Sequence, residues 1–376
     1  MEAPPCPLCG ADDATLLWLM PDRLQVFAGD FSLVRCRACG LLRTSPRPAW
    51  SELSAAYAAG LYRMPEDVGG SAIKSLARRM TALSPQPGRA LDVGCGTGEL
   101  LAALRQDGWA VQGVEPDATL ARVGAKHSLA SQSKSLLLTA NASPLLDIFV
   151  GDIGAAAFPS EHFDLVVLWH VLEHLPEPRA TLAEVRRVLR PDGVAVIGVP
   201  NAASLQARAF GRYWAAYDAP WHLTHFTPGN LGRFLEQAGF RVVHLACFSG
   251  SWSTYVRSLQ ALLATHVRHP GAQTVWRLAL LNPLWRAALK LPFLALERLG
   301  RGPVLVAYAS RQVDKETRRQ VASKQVASTW PCQSHFRGHC EEHPFAGPNA
   351  VRGRRRDATK QSPSLRNKEI ASLRSQ

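Results

Sequence analysis

The residues best suited to chemistry fall in three groups. The first is Asp92 followed by Gly94, Gly96 and Gly98 in RALDVGCGTGEL, residues 89–100. An apolar run that ends at a carboxylate, opens into spaced glycines and continues as ELLAALRQ reads as strand, loop and helix. In such a turn, backbone N–H groups approach a ligand with no side chain in the way. Glu99 stands where a dinucleotide fingerprint has its third glycine, so the spacing departs from the NAD pattern. Glu115, 21 residues after Gly94 in VQGVEPD, adds a carboxylate at the end of the next strand, where it can accept both hydroxyls of a ribose. The ligand these residues fit is a nucleoside-bearing cofactor; the alternative is an ordinary strand-to-helix turn. The second group is Cys6-x-x-Cys9 and Cys36-x-x-Cys39, two knuckles separated by 26 residues and each followed by glycine. Four thiolates at that spacing fill a tetrahedral Zn²⁺ site and leave no open position for catalysis, so the expected metal is structural. The third group is histidines: His170-x-x-Glu173-His174, and His222 and His225 among aromatics in YDAPWHLTHFTP. The first string fits an inverted zinc-protease motif, but that motif needs a helix, and here it leaves a buried strand. His170 is expected to line the cofactor site, with Glu173 and His174 shaping the pocket or capping the next helix. For His222 and His225 two readings stand, a general base working near neutral pH or hydrogen-bond partners that fix their loop.

The elements that must position these groups follow from periodicity. Apolar runs predict strands near 89–93, 110–115, 146–151, 163–169, 193–199, 241–247 and 302–310, with helices such as 98–107 and 177–190 between them. That alternation is a doubly wound parallel sheet. Pro191-Asp192-Gly193 reads as a tight turn. The expected divisions are 1–48, a zinc ribbon; 49–84, a helical linker; 85–250, the cofactor-binding core; 251–311, an amphipathic helical lid with the final strand; and 312–376, a disordered basic tail. The Ser-rich stretch 127–144 reads as a surface excursion.

The formal charge of +13 is uneven: residues 1–256 carry 22 Lys/Arg against 23 Asp/Glu, whereas 257–301 carry 7 against 1. A neutral core argues against a nucleic-acid footprint across the catalytic face. The basic, Trp- and Leu-rich stretch 251–302 is either a lid on the sheet or a contact with an anionic membrane surface, and Pro283 and Pro292 are expected to break any long helix in it. With no signal-like segment at its start, the chain is expected in the cytoplasm, with membrane contact only peripheral.

Several strings together resemble class I S-adenosylmethionine (SAM) methyltransferases. The glycine loop resembles their motif I, and Gly151-Asp152-Ile153 their adenine-contacting turn. FDLVVLWHVLEHLPEP, 163–178, resembles small-molecule methyltransferases, including those acting on ubiquinone precursors. Pro220-x-His222-x-x-His225-Phe226-Thr227-Pro228 resembles a broad bacterial group, and the Cys knuckles with GLLRTSPRP resemble zinc-ribbon methyltransferases of polysaccharide and natural-product pathways. The resemblance implies a Rossmann-like, seven-stranded, mostly parallel sheet with the last strand antiparallel, plus a small N-terminal zinc ribbon. It implies SAM held by Asp92, Gly94, Gly96, Gly98, Glu115, Asp152, Ile153 and His170. Asp152 would accept from the adenine amino group while Ile153 packs on the ring, or Asp152 instead caps the next turn. The acceptor would be a small molecule, a sugar or a lipid-linked intermediate, deprotonated by His225 or His222. Two other readings remain, an RNA base methyltransferase gripping RNA with its ribbon and a non-catalytic SAM-binding scaffold.

Overall fold

The computed structural model describes residues 1–62, 70–81, 86–123, 146–248, 252–267 and 283–312. Expectations for 127–144 and for 313–376 lie outside the described residues. In chain order the strands are β1 (Ala14–Pro21), β2 (Asp30–Cys36), β3 (Leu42–Thr44), β4 (Arg89–Val93), β5 (Ala110–Glu115), β6 (Asp147–Val150), β7 (Phe163–Trp169), β8 (Leu189–Pro200), β9 (Thr224–His225), β10 (Phe240–Phe248) and β11 (Val304–Arg311). The helices are α1 (Trp50–Ala58), α2 (Gly70–Thr81), α3 (Glu99–Gln106), α4 (Pro178–Val188), α5 (Leu205–Phe210), α6 (Pro228–Gln237), α7 (Trp252–His266) and α8 (Pro283–Arg298).

The main sheet has seven strands in the order β10-β11-β8-β7-β4-β5-β6. β4 pairs in parallel with β5 and β7, and β7 with β8, while β11 runs antiparallel to both β8 and β10. This is the Rossmann-like architecture with an antiparallel last strand. Central strands are near-continuous apolar runs because both faces are covered; Leu165, Val166, Val167 and Leu168 of β7 are all buried. The carboxyl ends of β4, β5 and β7 point to one edge, the place where an open parallel sheet presents its ligand crevice.

Two local expectations give way. Pro191-Asp192-Gly193 is not a free turn but part of β8, absorbed as a register shift in which Phe163 faces Leu189 and Leu165 faces Val194. A Cβ on Gly193 would come within 2.8 Å of Leu189 Cδ1 and 3.0 Å of the Asp164 carbonyl, so the strand crosses there only with glycine. Of the two prolines expected to break a long helix in 251–302, only Pro292 departs. Pro283 opens α8, where its missing N–H costs nothing, and Pro292 lies inside the helix on an exposed face, where water can hydrate the carbonyl it leaves unpaired.

The amino-terminal strands form a second sheet in the order β1-β2-β3-β9. Its fourth strand comes from the chain after β8: Leu42 pairs with His225 and Arg43 with Thr224. The ribbon also shares the main core, with Cys6, Leu8, Cys36, Cys39 and Leu41 packed in one cluster with Phe226, Phe234 and Leu235. Arg179 of α4 fastens it further by donating to the carbonyls of Pro7 and Leu8, both at 2.8 Å.

Candidate active site

The glycine loop takes the shape its residues demand. Gly94, Gly96 and Gly98 have φ of 71°, 52° and 70°, all in the left-handed region that favours glycine. A Cβ on Gly94 would lie 2.6 Å from Val171 Cγ2, whereas one on Gly96 meets nothing within 4 Å. The loop is therefore packed from behind at Gly94 and open at Gly96. Glu115 clamps it, with Oε2 accepting from Gly96 N at 2.8 Å and Oε1 from Asp117 N at 2.9 Å. Each carboxylate oxygen keeps a second lone pair for a hydroxyl donor. Asp92 is buried behind the loop, where burial and, secondarily, the Glu115 carboxylate push it up to about 8.

A cavity of about 1460 Å³ opens from this loop. It is lined by Asp92, Gly94, Gly96 and Glu115, by Tyr57 of α1 and Tyr62 just beyond that helix, and by Arg257 and Gln260 of α7. The ribbon contributes Arg23 and Leu24. Their turn is wound around Asp22, whose carboxylate accepts from Leu24 N, Val26 N and Phe27 N and from the Trp221 indole.

His170 and His174 line the same cavity where the chain leaves β7. His170 has φ of 56°, unusual for a residue with a Cβ, and its N–H donates to the Gly198 carbonyl at 2.8 Å, which holds it there. Its Nδ1 lies 3.0 Å from Glu173 Oε1. Burial opposes ionisation of Glu173, but the His170 hydrogen bond and the neighbouring His174 and His222 rings hold its carboxyl at about 2. An ionised carboxylate facing Nδ1 accepts a hydrogen bond from it, which keeps the ring's proton on Nδ1 and leaves Nε2 of His170 as the acceptor. His174 is fixed by Tyr57 Oη at 2.9 Å and the Trp221 carbonyl at 3.1 Å, both at Nδ1, and burial lowers its pKa to about 4.

Of the remaining sequence candidates, His222 comes close to the site: its ring centroid is 4.5 Å from that of His174, and its ring nitrogen groups with Glu173 and His174 within 4.8 Å. His222 and His225 are not on the cavity lining. His222 Nδ1 donates to the Ala216 carbonyl at 2.8 Å, and His225 Nε2 lies 3.3 Å from Thr44 Oγ1 in the ribbon. Burial lowers their pKa values to about 4 and about 3, so both rings stay neutral and serve the packing between β9 and the ribbon. Asp152 also lies off the lining; it caps its own turn by accepting from Ala155 N at 2.8 Å, and Ile153 is buried in the core. Gly98 is the N-cap residue of α3. The cavity residues Tyr57, Tyr62, Arg23 and Arg257 carried no motif, and only their assembly in three dimensions gives them a role.

The four ribbon cysteines converge. Cys6 and Cys39 Sγ are 3.5 Å apart, as are Cys9 and Cys36 Sγ, and all four lie within 4.8 Å of one another. Bonds of about 2.3 Å around a tetrahedral zinc place sulfurs about 3.8 Å apart, whereas a disulfide needs about 2 Å. The knuckles match in detail, with Gly10 N donating to Cys6 O, Gly40 N to Cys36 O, and both glycines at φ 77°. The donor set therefore fits Zn²⁺.

Residues 66–245 match a family model described as a methyltransferase domain. This stretch is similar to SAM-dependent methyltransferases. A protein of Mycolicibacterium smegmatis named "Probable S-adenosylmethionine-dependent methyltransferase" is 30% identical over 153 residues, covering 40% of this chain and 51% of that one. A ubiquinone biosynthesis O-methyltransferase of Aromatoleum aromaticum is 28% identical over 181 residues, 46% of this chain and 71% of that one. The chain thus spans about half the length of the first relative. A crystal structure of a SAM-dependent methyltransferase from Archaeoglobus fulgidus aligns with a TM-score of 0.41 at 19% identity, covering 70% of this chain and 100% of that one.

The methyltransferase domain's buried Asp92 makes one prediction. A carboxyl raised in the fold above its unfolded value near 4 holds a proton that the unfolded chain has released, so the fold loses stability as pH rises from about 4 to about 8. Asp92→Asn removes that cost. It is expected to raise the melting temperature of the cofactor-free protein more at pH 8 than at pH 6, while weakening S-adenosylhomocysteine binding. Thermal scans at both pH values with calorimetry check it; a lower melting temperature at both would mean that the carboxylate supports the fold.

Proposed function

We propose that the protein transfers the methyl group of SAM to a hydroxyl of a small-molecule acceptor, with His170 as the general base and Glu173 as its positioning residue. The observation that carries the reading is the shared cavity. The glycine loop with Asp92 and Glu115 lines it, and so does His170, whose ring is held by Glu173. Its volume of about 1460 Å³ exceeds the roughly 300–1,000 Å³ of a single-ligand pocket, leaving room for a second molecule. When bound, SAM supplies an electrophilic methyl on a sulfonium. The chain's own work is to place the acceptor in line, exclude water and take one proton.

Glu115 suits a ribose diol, and Asp92, buried and ionised only beside a cation, suits a ligand that brings an ammonium, which supports SAM over an anionic dinucleotide. The zinc, held by Cys6, Cys9, Cys36 and Cys39, would act at a distance by fixing the ribbon turn that brings Arg23 and Leu24 to the cavity. The ribbon is bonded to β9 and α4 on the core side, which favours this bracing role over a grip on RNA.

Titration calorimetry with SAM tests the cofactor assignment. The wild type is expected to bind, and Glu115→Ala to weaken binding by at least about tenfold, since it removes two hydrogen-bond acceptors from the loop and the diol together. Unchanged affinity in Glu115→Ala, or no heat with the wild type, would refute it.

A further inference from the structure

Helix α8 presents an apolar face to solvent. Leu284 and Leu291 are 74% and 75% exposed, and Leu299, just past the helix end, is 68% exposed. With Ala287, Ala288 and Ala295, also exposed, they recur at three-, four- and seven-residue spacing and form one continuous stripe along the helix. The opposite face, Leu289, Phe293, Leu294 and Leu296, is half-buried, and Phe293 packs on Trp252 and Tyr255 of α7. The helix therefore already has an inner side, and the stripe is a second apolar surface.

The charge around the stripe is of one sign. Lys290, Arg298 and Arg301 are exposed. Glu297, the single acidic residue in 257–301, is neutralised by Arg79, whose Nη1 lies 2.8 Å from its Oε1. Exposed leucines between lysine and arginine match the depth profile of a helix lying in a membrane interface, with leucines among the acyl chains and cations at the headgroups. A second copy of the same basic helix would instead bring like charges together. Among the described residues, no helix is long and apolar enough to cross a membrane, so the contact would be peripheral.

We propose that α8 docks the protein onto an anionic lipid surface. The helix packs on α7, which supplies Arg257 and Gln260 to the cavity, so docking would bring this lining of the cavity toward the bilayer. The acceptor class this implies, an amphipathic molecule delivered from the membrane, rests on the methyl-transfer reading, whereas the docking does not.

The test is co-sedimentation of the full chain with vesicles of phosphatidylcholine alone and with 30% phosphatidylglycerol, without SAM. Binding to the anionic vesicles is expected, with at least about tenfold weaker partition for the double variant Leu284→Asp/Leu291→Asp and for wild type on neutral vesicles. Wild-type binding that the double variant retains would assign it to charge elsewhere, such as the basic 312–376 stretch, and overturn the proposal. So would a concentration-dependent dimer dispersed by the double variant without vesicle binding, or a fall in its vesicle-free melting temperature that identifies the stripe as core. Because no arm uses SAM, a failure of docking is separable from a failure of methyl transfer.

Discussion

His170→Asn is expected to lower kcat by about 10²–10⁴-fold while leaving the dissociation constant for SAM within about threefold. That range is the usual contribution of a positioned proton acceptor. Asparagine is the informative substitution because the backbone at His170 is left-handed, which asparagine tolerates better than alanine. Glu173→Gln should cut turnover by a similar order. It also removes the carboxylate that orients the ring at Nδ1, so the loss should fall on kcat rather than on KM. A pair needed only for packing would instead lower the melting temperature and raise KM as well. Retained activity in His170→Asn would return the base assignment to another cavity residue.

Removing the metal should be the largest stability effect. One zinc per chain is expected by elemental analysis. Chelation, or Cys36→Ser, should lower the melting temperature on the order of 10 °C or more. The effect should reach beyond the ribbon, because Cys6, Leu8, Cys36, Cys39 and Leu41 share a core with Phe226, Phe234 and Leu235. Circular dichroism of the seven-stranded sheet should persist below the transition. A preparation without zinc, or a melting temperature unmoved by chelation, would refute the claim.

The parts of this protein that could be read in advance are those encoded by neighbours in sequence. β4, β5 and β7 are short apolar runs ending at polar residues, and the two knuckles are spaced cysteines followed by glycine; their physics is local. The sequence left two readings open for the histidines of 220–228 because their role depends on what packs over them. Pairing of β9 with β3 buries His225 and lowers its pKa, which favours the hydrogen-bonding role over that of a base. His170 and His174 were recognisable as pocket residues, but the pairing of His170 with Glu173 required the backbone to take a positive φ after β7. Arg23, the Tyr57–Tyr62 stretch and Arg257 come from three separate parts of the chain, and no spacing rule links them. Pro292 inside α8 is a case in which exposure outweighed a propensity rule.

The two-residue strand β9 has a consequence for biogenesis. The ribbon's metal ligands are complete once residue 39 has been made, yet the edge of β3 finds its partner only when residues 224–225 arrive. During synthesis the metal-bound knuckles would carry an open sheet edge through the making of most of the core, and an open edge is a template for pairing with another chain. A fragment ending near residue 48 is therefore expected to bind zinc and still self-associate. The amino-terminal ribbon cannot be moved between proteins as a detachable module, because its last strand belongs to the domain that it braces.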